Sequence, residues 1–169
     1  AQAKLIALWT GLGFVHGVMN TDNMAVSGET IDFGPCAFMD HYDPHALFSS
    51  IDQNGRYAFS NQPLIAQWNL SRLAETLVPL VDADQDKSVA ALTAVLEAFP
   101  VRFEAERLAV MRRKFGLTAA RDGDAALIKQ LLDLMQLETV DHTIAFRSLA
   151  DGVASGSFAD FESLFAGKQ

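Results

Sequence analysis

The sequence HGVMNTDN at residues 16–23 is followed, seven residues later, by IDFGP at residues 31–35. The first stretch ends in a carboxylate and an amide, Asp22 and Asn23, and the second contains another carboxylate, Asp32. Carboxylate and amide oxygens are hard ligands that suit Mg²⁺, and an ion held by only two of them completes its shell with water and substrate phosphates. The pattern therefore predicts a metal–nucleotide site.

The seven residues between the two stretches predict a tight turn between short strands. The turn residues are Ser27-Gly-Glu29, and the segments 24–26 and 30–32 on either side have extended character. A hairpin folds its strands side by side, so Asn23 and Asp32 would converge at its base. We therefore expect a short β-hairpin that carries the metal site.

Most of the remaining chain is predicted to be helical, because apolar residues recur at helical spacing and Gly, Pro and Asp mark the ends. Pro79 is expected to end one helix, and Pro100 to kink or divide the next. Asp122 or Asp124, and later Asp141, are expected to cap further helices. The expected helices cover residues 3–12, 62–79, 87–115, 127–135, 141–149 and 160–165. The fold class is thus mainly α.

Charge and composition exclude several classes of protein. The 169 residues suffice for one domain with a real core, and the net charge of −8 argues against nucleic acid as the main partner. No apolar run approaches the roughly 18–20 residues of a membrane span, so no membrane partner is expected. Cys36 is the single cysteine, which rules out an internal disulfide and fits a reducing compartment.

The spacing of the two stretches resembles that of the protein kinases. His16 and Asn23 lie seven residues apart, as do the His and Asn of the kinase catalytic loop, and residues 32–34 are a literal Asp-Phe-Gly. The catalytic Asp of that loop would fall at Val18, which cannot accept a proton from a hydroxyl. This departure puts ordinary phosphoryl transfer in doubt.

The match becomes specific for the selenoprotein O family (SelO, also called YdiU). The chain resembles that family over most of residues 1–150, in HGVMNTDNM (16–24), IDFGP (31–35), YDP (42–44), the run from Gly55 to Ala74, Phe99-Pro-x-x-Phe103 and MRRKFGL (111–117). The resemblance implies the helical C-lobe of a protein-kinase-like fold. Residues 1–80 would form the core with the catalytic loop, and 81–169 a family-specific helical extension, together one continuous domain.

The resemblance also implies an activity, the Mg²⁺-dependent transfer of AMP from ATP to Ser, Thr or Tyr hydroxyls of proteins. Asp22 would then be the catalytic base, Asn23 and Asp32 the metal ligands, and Asp32 would also lie against the ATP phosphates. Mn²⁺ is an alternative metal. The partners would be ATP and protein substrates, in the cytoplasm of a bacterium or the mitochondrion of a eukaryote.

Several alternatives stay open at this point. The glycine-rich segment and the phosphate-binding Lys and Arg residues of the family have no counterpart in the chain, so we expect a fragment that is inactive by itself. A kinase-like phosphotransferase that uses Asp22 as its base is one rival, and a non-catalytic nucleotide-binding or interaction module is another. His41 and His45 have the spacing of two zinc ligands on a helix, although Pro44 disfavours a helix there. Cys36 has no assigned role.

Overall fold

A computed structural model describes residues 1–165 of the chain, and these residues form a mainly helical fold with one small antiparallel sheet. The helices are α1 (Gln2–Leu12), α2 (Gln62–Val81), α3 (Gln85–Glu97), α4 (Phe99–Lys114), α5 (Asp124–Leu137), α6 (His142–Ser155) and α7 (Ala159–Ser163). The strands are β1 (Phe14–Val15) and β2 (Ala37–Phe38). In this part of the chain no helix has both the length and the apolar character needed to cross a bilayer.

The main core forms where α1 packs against α4 and α2. Ile6 and Trp9 of α1 are buried there together with Ile65 of α2 and Phe99 and Phe103 of α4. A second core cluster lies among α4, α5 and α6, around Met111, Ile128, Met135 and Phe146. The two clusters together hold the N-terminal loop region against the C-terminal helices.

Of the two helix boundaries predicted from prolines, the one at Pro100 is present and the one at Pro79 is not. Pro100 divides the segment into α3 and α4, as predicted, and occupies the first turn of α4, where a missing N–H costs nothing. The prediction that Pro79 ends α2 is wrong, because the helix continues to Val81. Pro79 lies in the last turn, and the carbonyl that it leaves without a partner belongs to Glu75, an exposed residue that water can reach.

The later helices also differ from the prediction at their ends. Gly123, with φ of 96°, precedes α5, and Asp124 is the first residue of this helix. The Asp124 side chain accepts from the Arg121 N–H and from Arg112. Asp141 does cap α6, through a bond from the Ile144 N–H. That helix runs on past Gly152 to Ser155, and the glycine leaves room for Phe158, a ring carbon of which lies 2.6 Å from where a Cβ at this position would be.

The predicted hairpin is only partly present. Met24 and Thr30 form a single isolated antiparallel bridge, and the paired strands lie outside it, with Phe14 opposite Phe38 and Val15 opposite Ala37. The strand predicted at 30–32 is interrupted because Asp32 adopts a positive φ of 54°. The segment between the strands is therefore a wide loop closed by β1 and β2.

Candidate functional site

The candidate site is built on the loop that follows α1. Gly13 ends this helix in the left-handed conformation, with φ of 69°, and the chain then enters β1. His16 is fully buried after β1, whereas Asp22 and Asn23 occur in a short 3₁₀ helix, Thr21–Asn23, at the surface. The loop thus begins in the core and ends at the surface, with Asp22 exposed and Asn23 half-buried.

Three contacts tie this loop to the second stretch. His16 Nε2 lies 2.8 Å from the Ile31 carbonyl oxygen, directly before Asp32. Because a carbonyl can only accept, Nε2 must carry the proton and donate. Gly17 lies against Pro35, and the Met24–Thr30 bridge joins the two stretches at their other end. The contacts hold together the two segments that carry Asn23 and Asp32.

The side chain of Asn23 is oriented by its own loop. Its Nδ2 donates to the Val18 carbonyl oxygen at 3.1 Å, and its N–H donates to the Asn20 carbonyl oxygen at 3.0 Å. The first bond fixes which end of the amide faces outward. Among residues 1–165 no group donates to Asn23 Oδ1, so this oxygen is available to a ligand.

The two carboxylates of the site are exposed. Asp32 holds a positive φ of 54°, a conformation that costs energy for a residue with a side chain and that often occurs at functional sites. No described residue forms an ion pair or hydrogen bond with the Asp32 carboxylate, and the same holds for Asp22. Together with Asn23 Oδ1, these side chains present unpaired hard oxygen ligands, which is the donor set that Mg²⁺ takes.

Two buried amides on α2 support the loop from behind, and the sequence interpretation missed both. Gln62 accepts from the His16 N–H and donates to the Phe14 carbonyl oxygen, each at 3.0 Å. Asn69 donates to the Met19 carbonyl oxygen at 2.9 Å. These residues lie seven positions apart, on the face of α2 that also buries Ile65 and Ala66. A polar residue at each of two core positions was the signal that could have found them.

A further contact braces the outer side of the loop. The Tyr57 hydroxyl donates to Asn20 Oδ1 at 2.6 Å, and the Arg56 guanidinium lies over the Trp68 ring, 4.7 Å from its centroid. Asp52 accepts the N–H groups of both Arg56 and Tyr57. These contacts give the Arg56–Tyr57 segment a structural role beside the loop.

The other candidate ligands lie elsewhere. His41 forms an isolated bridge with Asp141, and residues 41–45 are not helical, so the helical spacing of a His41–His45 zinc site does not apply. Cys36 Sγ is half-buried and lies 3.4 Å from the Phe33 carbonyl oxygen. Within residues 1–165 no group of three or more His, Cys, Asp or Glu side chains is placed so that it could hold a metal ion.

Two titratable groups with shifted pKa values lie near the end of α1. Burial lowers the pKa of His142 to about 4, and the nearby Lys114 charge acts in the same direction. Burial likewise lowers the pKa of Lys114 to about 8. A Cβ added to Gly13 would lie 2.9 Å from His142 Nδ1, so the imidazole packs directly behind the start of the loop.

Comparison with known proteins gives a consistent result. A family model described as protein adenylyltransferase SelO matches residues 1–168. Three similar bacterial proteins are each named protein nucleotidyltransferase YdiU. The Rhizobium etli protein is 61% identical over 150 residues, which is 89% of this chain and 30% of that protein.

The Cereibacter sphaeroides protein is 55% identical over 153 residues (90% of this chain, 32% of that protein), and the Bradyrhizobium protein is 54% identical over 164 residues (97% and 33%). The chain spans about a third of the length of the curated relatives it matches. Since the family match extends over nearly the whole sequence and the identities exceed one half, the chain belongs to the SelO family of protein adenylyltransferases.

Proposed function

We propose that the chain contributes the metal- and phosphate-binding part of an enzyme that transfers AMP from ATP to hydroxyl groups of proteins. The observation that carries this proposal is the pair of unpaired oxygens, Asn23 Oδ1 and the Asp32 carboxylate, on two segments joined by the His16–Ile31 hydrogen bond. Family membership supplies the reaction class, and the relatives' names supply protein as the acceptor.

Each residue has a distinct role in this proposal. Asn23 and Asp32 hold Mg²⁺, or Mn²⁺ in its place, and Asp32 also lies against the ATP phosphates. The ion, when bound, supplies positive charge that offsets the charge developing on the phosphate oxygens. Asp22 accepts the proton of the attacking Ser, Thr or Tyr hydroxyl, whose oxygen bonds to the α-phosphorus while pyrophosphate leaves with the electrons of the broken P–O bond. The exposure of Asp22 leaves it accessible to a protein substrate.

Val18 argues against phosphoryl transfer in the arrangement that the kinases use. It occupies the position of the kinase catalytic Asp, and an apolar side chain there offers no proton acceptor. Its carbonyl instead orients Asn23. The base must therefore come from elsewhere in the loop, and Asp22 is the exposed carboxylate beside the metal ligand.

The wider setting belongs to the same proposal. Residues 1–80 form the core of a kinase-like C-lobe and residues 81–169 a helical extension within one continuous domain. The packing of α1 against α4, and of α2 against α3 and α4, joins the two parts. We place the reaction in the bacterial cytoplasm, where ATP and Mg²⁺ are abundant, since the relatives are bacterial proteins.

The test uses these residues in a protein of the relatives' full length, incubated with Mg²⁺, a protein acceptor and ATP labelled at either the α- or the γ-phosphate. The proposal expects label on protein from the α-position alone. Label from the γ-position would instead support a phosphotransferase with Asp22 as its base. ATP binding without any label on protein would support a non-catalytic nucleotide-binding module.

Two variants complete this test. Asp32→Asn should lose transfer, because it removes a charged metal ligand at a position whose backbone Asn also tolerates. Asp40→Asn is the matched control, since Asp40 is also exposed and, among the described residues, its carboxylate forms no hydrogen bond or ion pair; its backbone carbonyl accepts from the His142 N–H at 2.7 Å. Equal activity in the two variants would contradict the metal assignment.

A further inference from the structure

A cleft lies between the ends of α1 and α4, β2 and α6. Its volume is about 530 Å³, and neither Asp22, Asn23 nor Asp32 lines it. Its apolar wall includes Leu12, Phe38 and Phe146, and its polar groups are Lys114, Thr143, Arg147 and Asp151. Two cations and one carboxylate therefore line the cleft, so its local charge is positive in a chain whose net charge is −8.

Lys114 has one hydrogen-bond acceptor and no carboxylate partner among the described residues. Its Nζ donates to the Gly11 carbonyl oxygen at 2.5 Å and lies 4.3 Å from the centroid of the Phe146 ring. Within residues 1–165 no carboxylate lies within salt-bridge distance of it. An ammonium has three N–H donors, and here only one of them has a protein acceptor.

Arg147 adds a second unpaired cation. It is exposed on α6, and among the described residues it forms no ion pair, even with Asp151 one turn further along the same helix. The five ion pairs in this part of the chain involve other arginines and lysines. A guanidinium is suited to planar, bidentate contact with a carboxylate or phosphate.

From these contacts we propose that the cleft binds an anionic group, a carboxylate or phosphate carried on a small aromatic or aliphatic body, through Lys114 and Arg147. The apolar wall of Leu12, Phe38 and Phe146 covers the body, and Thr143 offers a hydroxyl beside the charged end. The lowered pKa of Lys114 agrees with a buried ammonium that lacks a counter-ion. The inference does not depend on the proposed transfer reaction.

The experiment is a titration of the full chain with phenyl phosphate and, separately, with benzoate, followed by calorimetry and by amide chemical shifts. We expect saturable binding of at least one probe near millimolar affinity, with the largest shifts at residues around Lys114 and Arg147. Binding of phenyl phosphate alone identifies a phosphate site, and binding of benzoate alone a carboxylate site. Inorganic phosphate should bind more weakly than phenyl phosphate, because it leaves the apolar wall uncovered.

Arg147→Gln should weaken binding roughly tenfold, the loss expected for a charge-assisted hydrogen bond. The matched control is Arg113→Gln, an exposed arginine on α4 that does not line the cleft, and it should bind as the parent does. Asp151→Asn should tighten binding, since it removes the one carboxylate. Lys114→Met is a second loss variant, used only if circular dichroism shows native helix content.

The proposal is overturned if neither probe binds at about 10 mM, a concentration well above the affinity expected for two such contacts. It is equally overturned if Arg147→Gln and Arg113→Gln weaken binding to the same extent. No nucleotide, Mg²⁺ or acceptor protein enters the titration, so its outcome is separable from that of the transfer assay.

Discussion

Gly17 and Pro35 touch across the candidate site: a Cβ built on Gly17 would lie 2.9 Å from the Pro35 carbonyl oxygen. Gly17 also has a positive φ of 86°, which a side chain disfavours. The close approach holds the loop of Asp22 and Asn23 against the segment that follows Asp32. The site is therefore constrained at its backbone as well as through His16.

We expect Gly17→Ala to lower the free energy of unfolding by about 2–4 kcal/mol, from left-handed strain plus crowding against Pro35. The control is Gly116→Ala, where φ is 69° but nothing lies within 4 Å of the added Cβ, so only the strain remains. Denaturant unfolding of both variants isolates the crowding. Equal destabilisation by Gly17→Ala and Gly116→Ala would show that Pro35 moves aside at no cost and that the contact does not hold the two segments together.

Gln62→Leu should destabilise the chain by about 2–4 kcal/mol, because it leaves the buried His16 N–H and Phe14 carbonyl oxygen without partners. Gln67→Leu is a milder control on the same helix, where one half-buried bond to the Leu96 carbonyl oxygen is lost. Chemical denaturation measures both. A smaller loss for Gln62 than for Gln67 would contradict the supporting role assigned to Gln62.

Asp32→Asn should leave the free energy of unfolding within about 0.5 kcal/mol of the parent, since Asn also tolerates the left-handed region and the carboxylate is exposed. The same change should reduce AMP transfer at least about 100-fold in a protein of full length, from the lost charge on the metal. The measurement compares the free energy of unfolding with the rate of AMP transfer in the same variant. A loss of both would point to a structural role instead.

Stability should fall at mildly acidic pH because of His142. Its pKa is about 4 in the folded chain and near 6.5 in the unfolded chain, so the unfolded state binds the proton first. The contribution of the neutral His142 to the free energy of unfolding is fully present above pH 6.5. It is lost as the pH falls from there to about 4, a loss of about 3 kcal/mol. Unfolding free energies of the parent and of His142→Leu, measured over that range, give the difference. Parallel pH profiles would contradict the assignment.

Much of the fold follows from local sequence patterns. The spacing of apolar residues predicted the helices, and Pro100 and Asp141 marked their boundaries, because such effects act within one or two helical turns. The pairing of β1 with β2 was not predictable in this way, since two-residue strands carry no periodicity and their partners are more than twenty residues apart. The motif residues were found by their spacing, whereas Gln62 and Asn69 act through distant backbone groups that no local pattern reveals.

The hydrogen bond from Lys114 to the Gly11 carbonyl oxygen spans 103 residues of chain. Helix α1 buries Ile6 and Trp9 against α4, so it lacks this partner until α4 has been synthesised. At about 5–20 residues per second, the ribosome needs roughly 5–20 s to cover that interval. During biosynthesis, the loop of Asp22 and Asn23 therefore follows a helix, α1, whose packing against α4 has not yet formed. That delay keeps the α4-facing side of α1 exposed until α4 has been synthesised.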